Sequence, residues 1–359
     1  MEVSTQFEVI VVGAGPAGSA SAIAAADRGL RVLLLEATRF PRHKVCGEFV
    51  SSESAEILQY LLREGADDLL HAPRITKARL HSEGRSVEIS VEPAAYSIPR
   101  FRLDEVLWHA AKERGISCRN ESVTGISRSR DEFVVRTTSA EYQAKSVVNA
   151  SGRWSKLGRR VAGGSAWVGL KAHFEGETDD IVDLYFMNSG YCGVQAVAPG
   201  VLNACALVRQ GTVRSHDEVF QMDAMLAQRA RNWKLVTELF ATAPVYLGAG
   251  APVCDGMLQV GDAAGFVDPF VGDGISLALR GGVLAGRSVG AISVERYAEL
   301  YRVSFAQIFR SASRVRTLLS VARPLRPALI NALRLPAIGR HIFTSTRRAR
   351  FNVIEAPIG

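Results

Sequence analysis

Three glycines at positions 13, 15 and 18 could build a binding loop for a phosphate-bearing ligand. They follow a short run of apolar, β-branched residues and open an alanine-rich segment. Gly13 permits a tight turn, Gly15 lets the backbone approach a pyrophosphate, and Gly18 lets helix and strand pack closely. The start of the predicted helix then faces the negative charge. We therefore assign Gly13, Gly15, Pro16, Ala17 and Gly18 to the binding of a dinucleotide.

An acid at position 36 completes this motif. An alanine-rich helix over residues 19–27 and a second buried strand over 31–35 follow the glycines, and Glu36 ends that strand. A carboxylate at this place can accept hydrogen bonds from the ribose hydroxyls of an adenosine. Strand, glycine turn, helix and acid together form one βαβ unit. This unit indicates a dinucleotide but does not separate NAD from FAD.

A second motif, at residues 261–275, distinguishes these two cofactors. An apolar strand ends in Gly261 and Asp262, which puts a carboxylate where the ribitol hydroxyls of a flavin would lie. Glycines at 272 and 274 then bring a helix start against the pyrimidine edge of the ring. Its amides and dipole would stabilise the negative charge that the ring acquires on reduction. The candidate flavin-binding residues here are Gly261, Asp262, Gly272, Asp273, Gly274 and Ile275.

These motifs resemble those of the FAD-dependent oxidoreductase superfamily, which contains geranylgeranyl reductases, electron-transfer-flavoprotein dehydrogenases, aromatic hydroxylases and flavin halogenases. The resemblance runs from residue 7 to about residue 295. A third motif, Arg100-Phe101-Arg102-Leu103-Asp104, looks like the Arg-x-x-x-Asp helix start of that superfamily. The resemblance implies that Arg100 reaches the cofactor and that FAD is bound without a covalent link. It also implies that NAD(P)H or a protein electron donor reduces the flavin.

Within the superfamily, residues 265–282 look most like the geranylgeranyl reductase branch. Aromatic hydroxylases usually carry histidine at position 265 and glutamine at 273, where this chain has Gly265 and Asp273. The Ser-Ser-Gly and Trp-x-Trp-x-Ile-Pro patterns of halogenases are absent. The aromatic substrate motif of the geranylgeranyl reductases is replaced by Tyr191-Cys192-Gly193-Val194-Gln195-Ala196. The substrate class therefore stays open among isoprenoids, polyketides and aromatic compounds. Such compounds are typical of secondary metabolism.

Residues 42–48 also resemble a segment that related flavoproteins run past the flavin. The resemblance implies that Arg42 and Lys44 pair with the pyrophosphate by charge-assisted hydrogen bonds. It implies further that Cys46 touches the ring and that Glu48 orients or protonates the substrate. Tyr191 and His173 are further candidate proton donors. The alternative for all of these side chains is an ordinary packing or surface role.

Two chemistries share this scaffold. In the first, reduced FAD delivers a hydride to a carbon–carbon double bond of a hydrophobic substrate. In the second, a monooxygenase reaction, O₂ adds to the flavin and the C4a-hydroperoxide hydroxylates an aromatic or polyketide substrate. The branch resemblance favours the first. A third reading, in which the flavin is a structural ligand of a basic adaptor protein, has no catalytic step.

The elements needed to position these residues indicate an α/β protein with a Rossmann-like, doubly wound FAD-binding domain. We expect an antiparallel sheet over residues 166–210, helical structure over 217–241, a strand at 257–260 and helices from 275 onward. The predicted domains are a discontinuous FAD-binding domain (1–72, 97–165 and 251–295), a substrate domain (73–96 and 166–250) and a basic helical segment (296–359).

Charge is concentrated in the C-terminal segment. Residues 300–354 contain eleven arginines and no Asp or Glu, whereas the whole chain of 359 residues carries a formal charge of +7. The segment predicts an anionic partner, either a membrane surface, an acyl carrier protein or a substrate diphosphate. No pattern for nucleic-acid binding accompanies it. The five scattered cysteines suggest neither disulfides nor a metal site. The acidic N-terminal residues predict a cytoplasmic protein. The basic C-terminal segment could bring that protein to a membrane surface.

Overall fold

The computed structural model describes residues 6–129, 131–153, 157, 166–213, 215–319 and 326–334. Its strands are β1 (Gln6–Val12), β2 (Val32–Leu35), β3 (Phe49–Val50), β4 (Arg74–Ser82), β5 (Arg85–Ser97), β6 (Ser117–Arg119), β7 (Val123–Ser129), β8 (Glu132–Thr137), β9 (Glu141–Asn149), β10 (Trp167–Glu175), β11 (Ile181–Met187), β12 (Gly190–Ala198), β13 (Val201–Arg209), β14 (Lys234–Leu235), β15 (Phe240–Val245), β16 (Gly248–Ala249), β17 (Val253–Cys254), β18 (Met257–Gln259) and β19 (Gly265–Phe266). Its α-helices are α1 (Pro16–Ala26), α2 (Ser54–Leu62), α3 (Ala66–Leu70), α4 (Arg100–Glu113), α5 (His216–Gln221), α6 (Ala224–Ala230), α7 (Gly274–Ser288), α8 (Val294–Leu319) and α9 (Arg326–Leu333).

The first sheet has a parallel centre that carries the dinucleotide motif. Its strands lie in the order β17, β18, β9, β1, β2 and β6, and β8 and β7 extend it from β9 as an antiparallel meander. β1 pairs in parallel with both β2 and β9, so Val12 lies beside Leu35 and Asn149. The carboxyl ends of these strands meet at one edge, where ligands bind in doubly wound sheets. The predicted α/β class is confirmed.

Helices α1 and α7 pack against each other through glycine. A Cβ atom added to Gly282 would lie 2.3 Å from the carbonyl oxygen of Ala17, and one added to Gly286 would lie 2.3 Å from that of Ser21. These distances are too short for any side chain. Because both contacts advance by four residues on each helix, α1 and α7 run in the same direction with their backbones nearly touching.

The second sheet contains nine strands and has two different faces. The main order is β14, β10, β13, β12, β11, β4, β5 and β3, and β15 also pairs with β10. The pairings are antiparallel except for that between β11 and β4. On one face, Leu170, Ala172 and Phe174 of β10 join an apolar core with α5 and α6. The alternate residues Lys171 and His173 point to the opposite face, toward the segment that precedes β3.

The prediction that residues 217–241 are helical is wrong beyond residue 230. The chain forms α5 and α6 and then returns as β14 and β15 along β10. Trp233 ends the helical stretch by packing 5.4 Å from the ring of Phe220 and 5.6 Å from that of Phe174. The amide of Val236 then donates to the carbonyl of His173 at 2.9 Å. Pairing with the open edge of β10 therefore outweighs the local helical pattern.

The predicted strand near 257–260 and the predicted helices after 275 are present among the described residues. None of the described helices is long and apolar enough to cross a membrane. Helix α9 lies against β4 and β5, where Arg326 pairs with Glu83 at 3.3 Å. Of the predicted basic segment (296–359), residues 320–325 and 335–359 lie outside the described residues.

Candidate functional site

The glycine loop between β1 and α1 has no room for side chains. Gly13 adopts φ +99°, and a Cβ added there would lie 2.5 Å from the carbonyl oxygen of Ala150. A Cβ added to Gly18 would lie only 1.7 Å from the carbonyl oxygen of Gly13. Helix α1 begins at Pro16, directly after Gly15, so its unpaired amides lie at the carboxyl edge of the first sheet. The loop thus has the geometry that the sequence predicts for a pyrophosphate cradle.

Two arginines lie over this helix start. A Cβ added to Gly15 would lie 3.7 Å from Nη2 of Arg100 and 4.0 Å from Nη2 of Arg42. Arg100 makes a bidentate pair with Asp104, in which both hydrogen bonds measure 2.8 Å. Burial lowers the pKa of Arg100, but the carboxylate of Asp104 outweighs it and raises the pKa above its ordinary value. Arg100 is therefore a fixed cation.

Lys44 adds a third cation to the same region. Burial, and then the charge of Arg42, lower the pKa of Lys44, while Glu36 and Asp104 oppose this shift. The buried Nε of Arg42 has no hydrogen-bond partner among the described residues. Three cations against two carboxylates leave a net positive site at a helix N-terminus. The fit to an anionic pyrophosphate is good.

Glu36 already holds four hydrogen bonds. It accepts from the amide of Ala14 at 2.8 Å, from the amide and hydroxyl of Thr38 at 3.1 Å each, and from Arg42 at 2.6 Å. A carboxylate offers roughly four lone-pair sites. A ribose diol would therefore have to displace a donor, and Arg42 is the one that a pyrophosphate would attract. The role of Glu36 toward a ribose stays a prediction.

The second motif also forms a turn followed by a helix start. Asp262 lies in the turn after β18 and pairs with Arg153 at 3.3 Å. The guanidinium of Arg153 also lies 4.1 Å from the ring centre of Phe266. Helix α7 begins at Gly274, directly after the buried Asp273. The next helical residue, Ile275, is buried in the core, and Gly261 at the turn adopts φ +58°.

Residues 42–49 connect the two motifs in space. Arg42 lies at the glycine loop, whereas a Cβ added to Gly272 would lie 2.8 Å from the ring of Phe49. A cofactor with its pyrophosphate on Gly15 and its ring against Gly274 would therefore extend alongside residues 43–48. The two helix starts and the cation cluster fit a dinucleotide with a ring at one end, as FAD has.

A buried ionic cluster lies behind this segment. The carboxylate of Glu48 accepts hydrogen bonds from Lys171 at 2.5 Å, from His173 at 2.7 Å and from the backbone amide of Arg100 at 2.8 Å. Glu48 adopts φ +60°, a conformation that non-glycine residues rarely take. Burial alone raises the pKa of Glu48, but the hydrogen bond from His173 and the charge of Lys171 lower it below its ordinary value.

Cys46 and Tyr191, the other two candidate catalytic residues, have different surroundings. The sulfur of Cys46 accepts from the amide of Glu48 at 3.3 Å, and its carbonyl accepts from Asn203 at 3.1 Å. Tyr191 on β12 lies edge-on to Phe270, with 5.9 Å between ring centres. Glu48 and Cys46 are thus brought together, while Tyr191 lies toward the Gly272 turn.

Sequence reasoning missed Lys171 and Asn203. Lys171 and His173 alternate along β10, so one face of a strand carries two successive basic residues. That period-two pattern was the signal available for Lys171. Asn203, which lies beside His173 on β13 and donates to the carbonyls of Cys46 and Gly47, gave no local signal.

Comparison with known proteins agrees with this geometry. Residues 8–155 match the family model described as FAD dependent oxidoreductase. The chain is 27% identical to conditioned medium factor receptor 1 of Dictyostelium discoideum, over 84% of this chain and 69% of that protein. It is 28% identical to a menaquinone reductase of Mycolicibacterium smegmatis, over 90% and 87%. It is also 28% identical to digeranylgeranylglycerophospholipid reductase 2 of Methanopyrus kandleri, over 86% and 85%.

Solved structures share the fold at lower identity. A geranylgeranyl bacteriochlorophyll reductase-like protein of Thermoplasma acidophilum superimposes with a TM-score of 0.78 at 20% identity, covering 98% of both chains. A flavin-dependent brominase gives a TM-score of 0.78 at 20% identity, covering 95% of this chain and 93% of its own. Residues 8–155 therefore match FAD-dependent oxidoreductases in sequence, and the chain shares its fold with a geranylgeranyl bacteriochlorophyll reductase-like protein and a flavin-dependent brominase.

Proposed function

We propose that this enzyme reduces a carbon–carbon double bond of a hydrophobic organic substrate. The observation that carries the proposal is an aromatic wall next to the Gly272 turn. This wall consists of Phe186, Tyr191 and Phe270. The ring centres of Phe186 and Tyr191 lie 5.1 and 5.9 Å from that of Phe270, which stands just before the turn. Aromatic side chains present large apolar surfaces, so a flat or extended apolar molecule would pack against this wall beside the flavin ring.

Residues already described would hold the cofactor. Gly13, Gly15 and Gly18 would let the pyrophosphate approach the start of α1, and Arg42, Lys44 and Arg100 would neutralise it. Bound FAD, recharged by NAD(P)H or a protein donor, would supply a hydride to a substrate carbon. The start of α7 would stabilise negative charge on the pyrimidine edge of the ring.

The substrate class is an isoprenoid, a polyketide or an aromatic compound. Two of the relatives named above are reductases by their names, one of menaquinone and one of digeranylgeranylglycerophospholipid. This supports reduction over hydroxylation. A monooxygenase reaction is the alternative that the experiment must distinguish.

The experiment follows the flavin without oxygen. The purified protein should be yellow and release unmodified FAD on denaturation. After anaerobic reduction, the reduced holoenzyme is mixed with geranylgeranyl diphosphate, a menaquinone and an aromatic polyketide in separate runs. Rapid anaerobic reoxidation by one of them is the expected result, with a product that carries two additional hydrogens at a former carbon–carbon double bond. Reoxidation only after air is admitted, through a C4a-hydroperoxide absorption band, would instead support the monooxygenase.

A variant tests the aromatic wall itself. Tyr191→Ala should slow this reoxidation by weakening substrate binding while leaving the FAD content unchanged. Tyr246→Ala is the matched control, because Tyr246 is 37% exposed at the protein surface. Equal effects of the two substitutions would contradict a substrate role for the wall.

We also propose that the arginine-rich tail docks an anionic partner. Arg326 is paired with Glu83, but eleven arginines without an acid should still generate a positive potential that salt weakens. The test changes Arg347, Arg348 and Arg350, which lie outside the described residues, to Gln. Binding should fall. Weaker binding to anionic vesicles would indicate a role at a membrane surface, and weaker binding to an acyl carrier protein would indicate a role with that carrier. Binding that depends neither on these arginines nor on salt would contradict the proposal.

A further inference from the structure

The ionic cluster around Glu48 is not explained by stability alone. Glu48 and Lys171 are fully buried and His173 is 3% exposed. Removing charges from water is costly, and apolar residues often replace a buried ion pair without loss of stability. One carboxylate here is shared by two basic groups. A cluster that costs desolvation energy next to a reactive site suggests a role in the reaction.

The cluster lies directly behind the segment that borders the cofactor. Glu48 belongs to residues 42–49, which extend from the pyrophosphate loop to the Gly272 turn. Its other two partners point inward from β10 of the second sheet. The carboxylate also accepts from the amide of Arg100 at the start of α4. The Glu48 side chain thus joins the cofactor-binding side to the substrate-side sheet.

A second histidine connects this cluster to the protein surface. The ring of His43 lies 5.6 Å from that of His173 and stacks on Phe240 at 4.9 Å. His43 is partly exposed, and its buried Nδ1 has no hydrogen-bond partner among the described residues. Burial, followed by the charges of Lys171 and His173, lowers the pKa of His43. The arrangement is a path of titratable groups from the solvent to Glu48.

His173 and Lys171 share one carboxylate. Nε2 of His173 lies 2.7 Å from Glu48, and Nζ of Lys171 lies 2.5 Å from it. A negative charge added near a histidine favours its protonated form. The titratable and charged groups that face this region are His43, Cys46 and Glu48 on the cofactor segment, Arg100 on α4, Lys171 on β10, Cys205 on β13 and Glu238 before β15.

We propose that His173, held by Glu48 and balanced by Lys171, is a proton reservoir that fills when the cofactor is reduced. The inference rests on the proposed function and adds the source of its proton. Saturating one double bond consumes a hydride, which carries two electrons from the reduced cofactor to one carbon, and one proton for the other carbon. NAD(P)H or the protein donor supplies the electrons. Solvent supplies the proton by way of His43. Bound FAD would gain negative charge on reduction, and that charge would favour protonation of a nearby histidine such as His173.

The experiment measures the FAD midpoint potential of the holoenzyme across the pH range, without substrate. The slope of potential against pH counts the protons taken up with the two electrons. In the wild type, part of the range should have a slope that corresponds to an additional proton beyond the flavin's own. His173→Gln should lose that steeper part. His109→Gln, a change of an exposed histidine on α4, is the matched control and should retain it.

A second variant keeps the test decisive if His173→Gln fails to bind FAD. Lys171→Met removes the opposing charge, so His173 should hold its proton already in the oxidised state, and the steeper part should move to higher pH. Identical slopes in the wild type and in whichever variant binds FAD would overturn the proposal. If the wild type shows the steeper part but no compound with a double bond reoxidises its reduced flavin, the proposed function is contradicted while the reservoir stands, because the potential is measured without substrate.

Discussion

Replacing Gly15 by alanine should separate folding from cofactor binding. Gly15 has φ −75° and ψ −176°, a conformation that alanine adopts without strain. The added Cβ would find its nearest neighbours at 3.7 and 4.0 Å, both at the ends of arginine side chains. The apoprotein should therefore lose only the preference for glycine over alanine at a helix N-cap, below about 1 kcal/mol.

The cofactor should be affected much more strongly, because that Cβ would lie between Arg42, Arg100 and the start of α1. A pyrophosphate kept away from the helix amides would lose at least one charge-assisted hydrogen bond, worth about 1.5–3 kcal/mol. The expected loss of FAD affinity is about ten- to a hundredfold. Equilibrium dialysis of apoprotein with FAD measures the affinity, and urea unfolding of the apoprotein measures stability.

Two other glycines serve as controls for this substitution. Gly125→Ala should change neither quantity, since no heavy atom lies within 4 Å of its added Cβ. Gly18→Ala should damage both folding and binding, because its Cβ would lie 1.7 Å from a backbone oxygen. If Gly15→Ala binds FAD within twofold of the wild type, the pyrophosphate does not lie on this helix start.

Three further substitutions test the remaining assignments. Glu36→Ala should weaken FAD by about ten- to a hundredfold through the loss of about 1.5–3 kcal/mol of charge-assisted bonding, with little change in the turnover of fully loaded enzyme; dialysis within twofold of wild type would place the ribose elsewhere. Asp262→Ala should weaken FAD and shift its midpoint potential, and no change in either would remove Asp262 from the site. Glu48→Gln should be less stable than wild type at neutral pH. Because folding lowers the pKa of Glu48, this deficit should shrink as pH falls below the unfolded value of about 4.3, and a constant deficit in urea titrations would refute the assignment.

The sequence predicted the parts of the site that follow from local pattern. The glycine loop, Glu36 at the end of β2 and the start of α7 at Gly274 each depend on a few neighbouring residues, and the structure has them where expected. Backbone sterics and helix starts are local properties. Short motifs therefore report them well.

Contacts between distant segments could not be read in the same way. Lys171 lies 123 residues from Glu48, so no spacing rule links them. The expected helix over 217–241 ignored the open edge of β10, which pairs with β15 from the end of that stretch. Local propensity gave way to hydrogen bonds and aromatic packing that only the folded sheet provides.

The glycine contact between α1 and α7 fixes the distance between the two helix starts that would bind the cofactor. Gly282 of α7 contacts Ala17 of α1. Helix α7 begins eight residues before Gly282, whereas α1 begins only one residue before Ala17. At about 1.5 Å of rise per residue, the start of α7 projects roughly 10 Å beyond the start of α1. That offset can accommodate a ribityl chain between a pyrophosphate on one helix and a flavin ring on the other. Since backbone atoms set it, the spacing does not depend on side-chain rotamers.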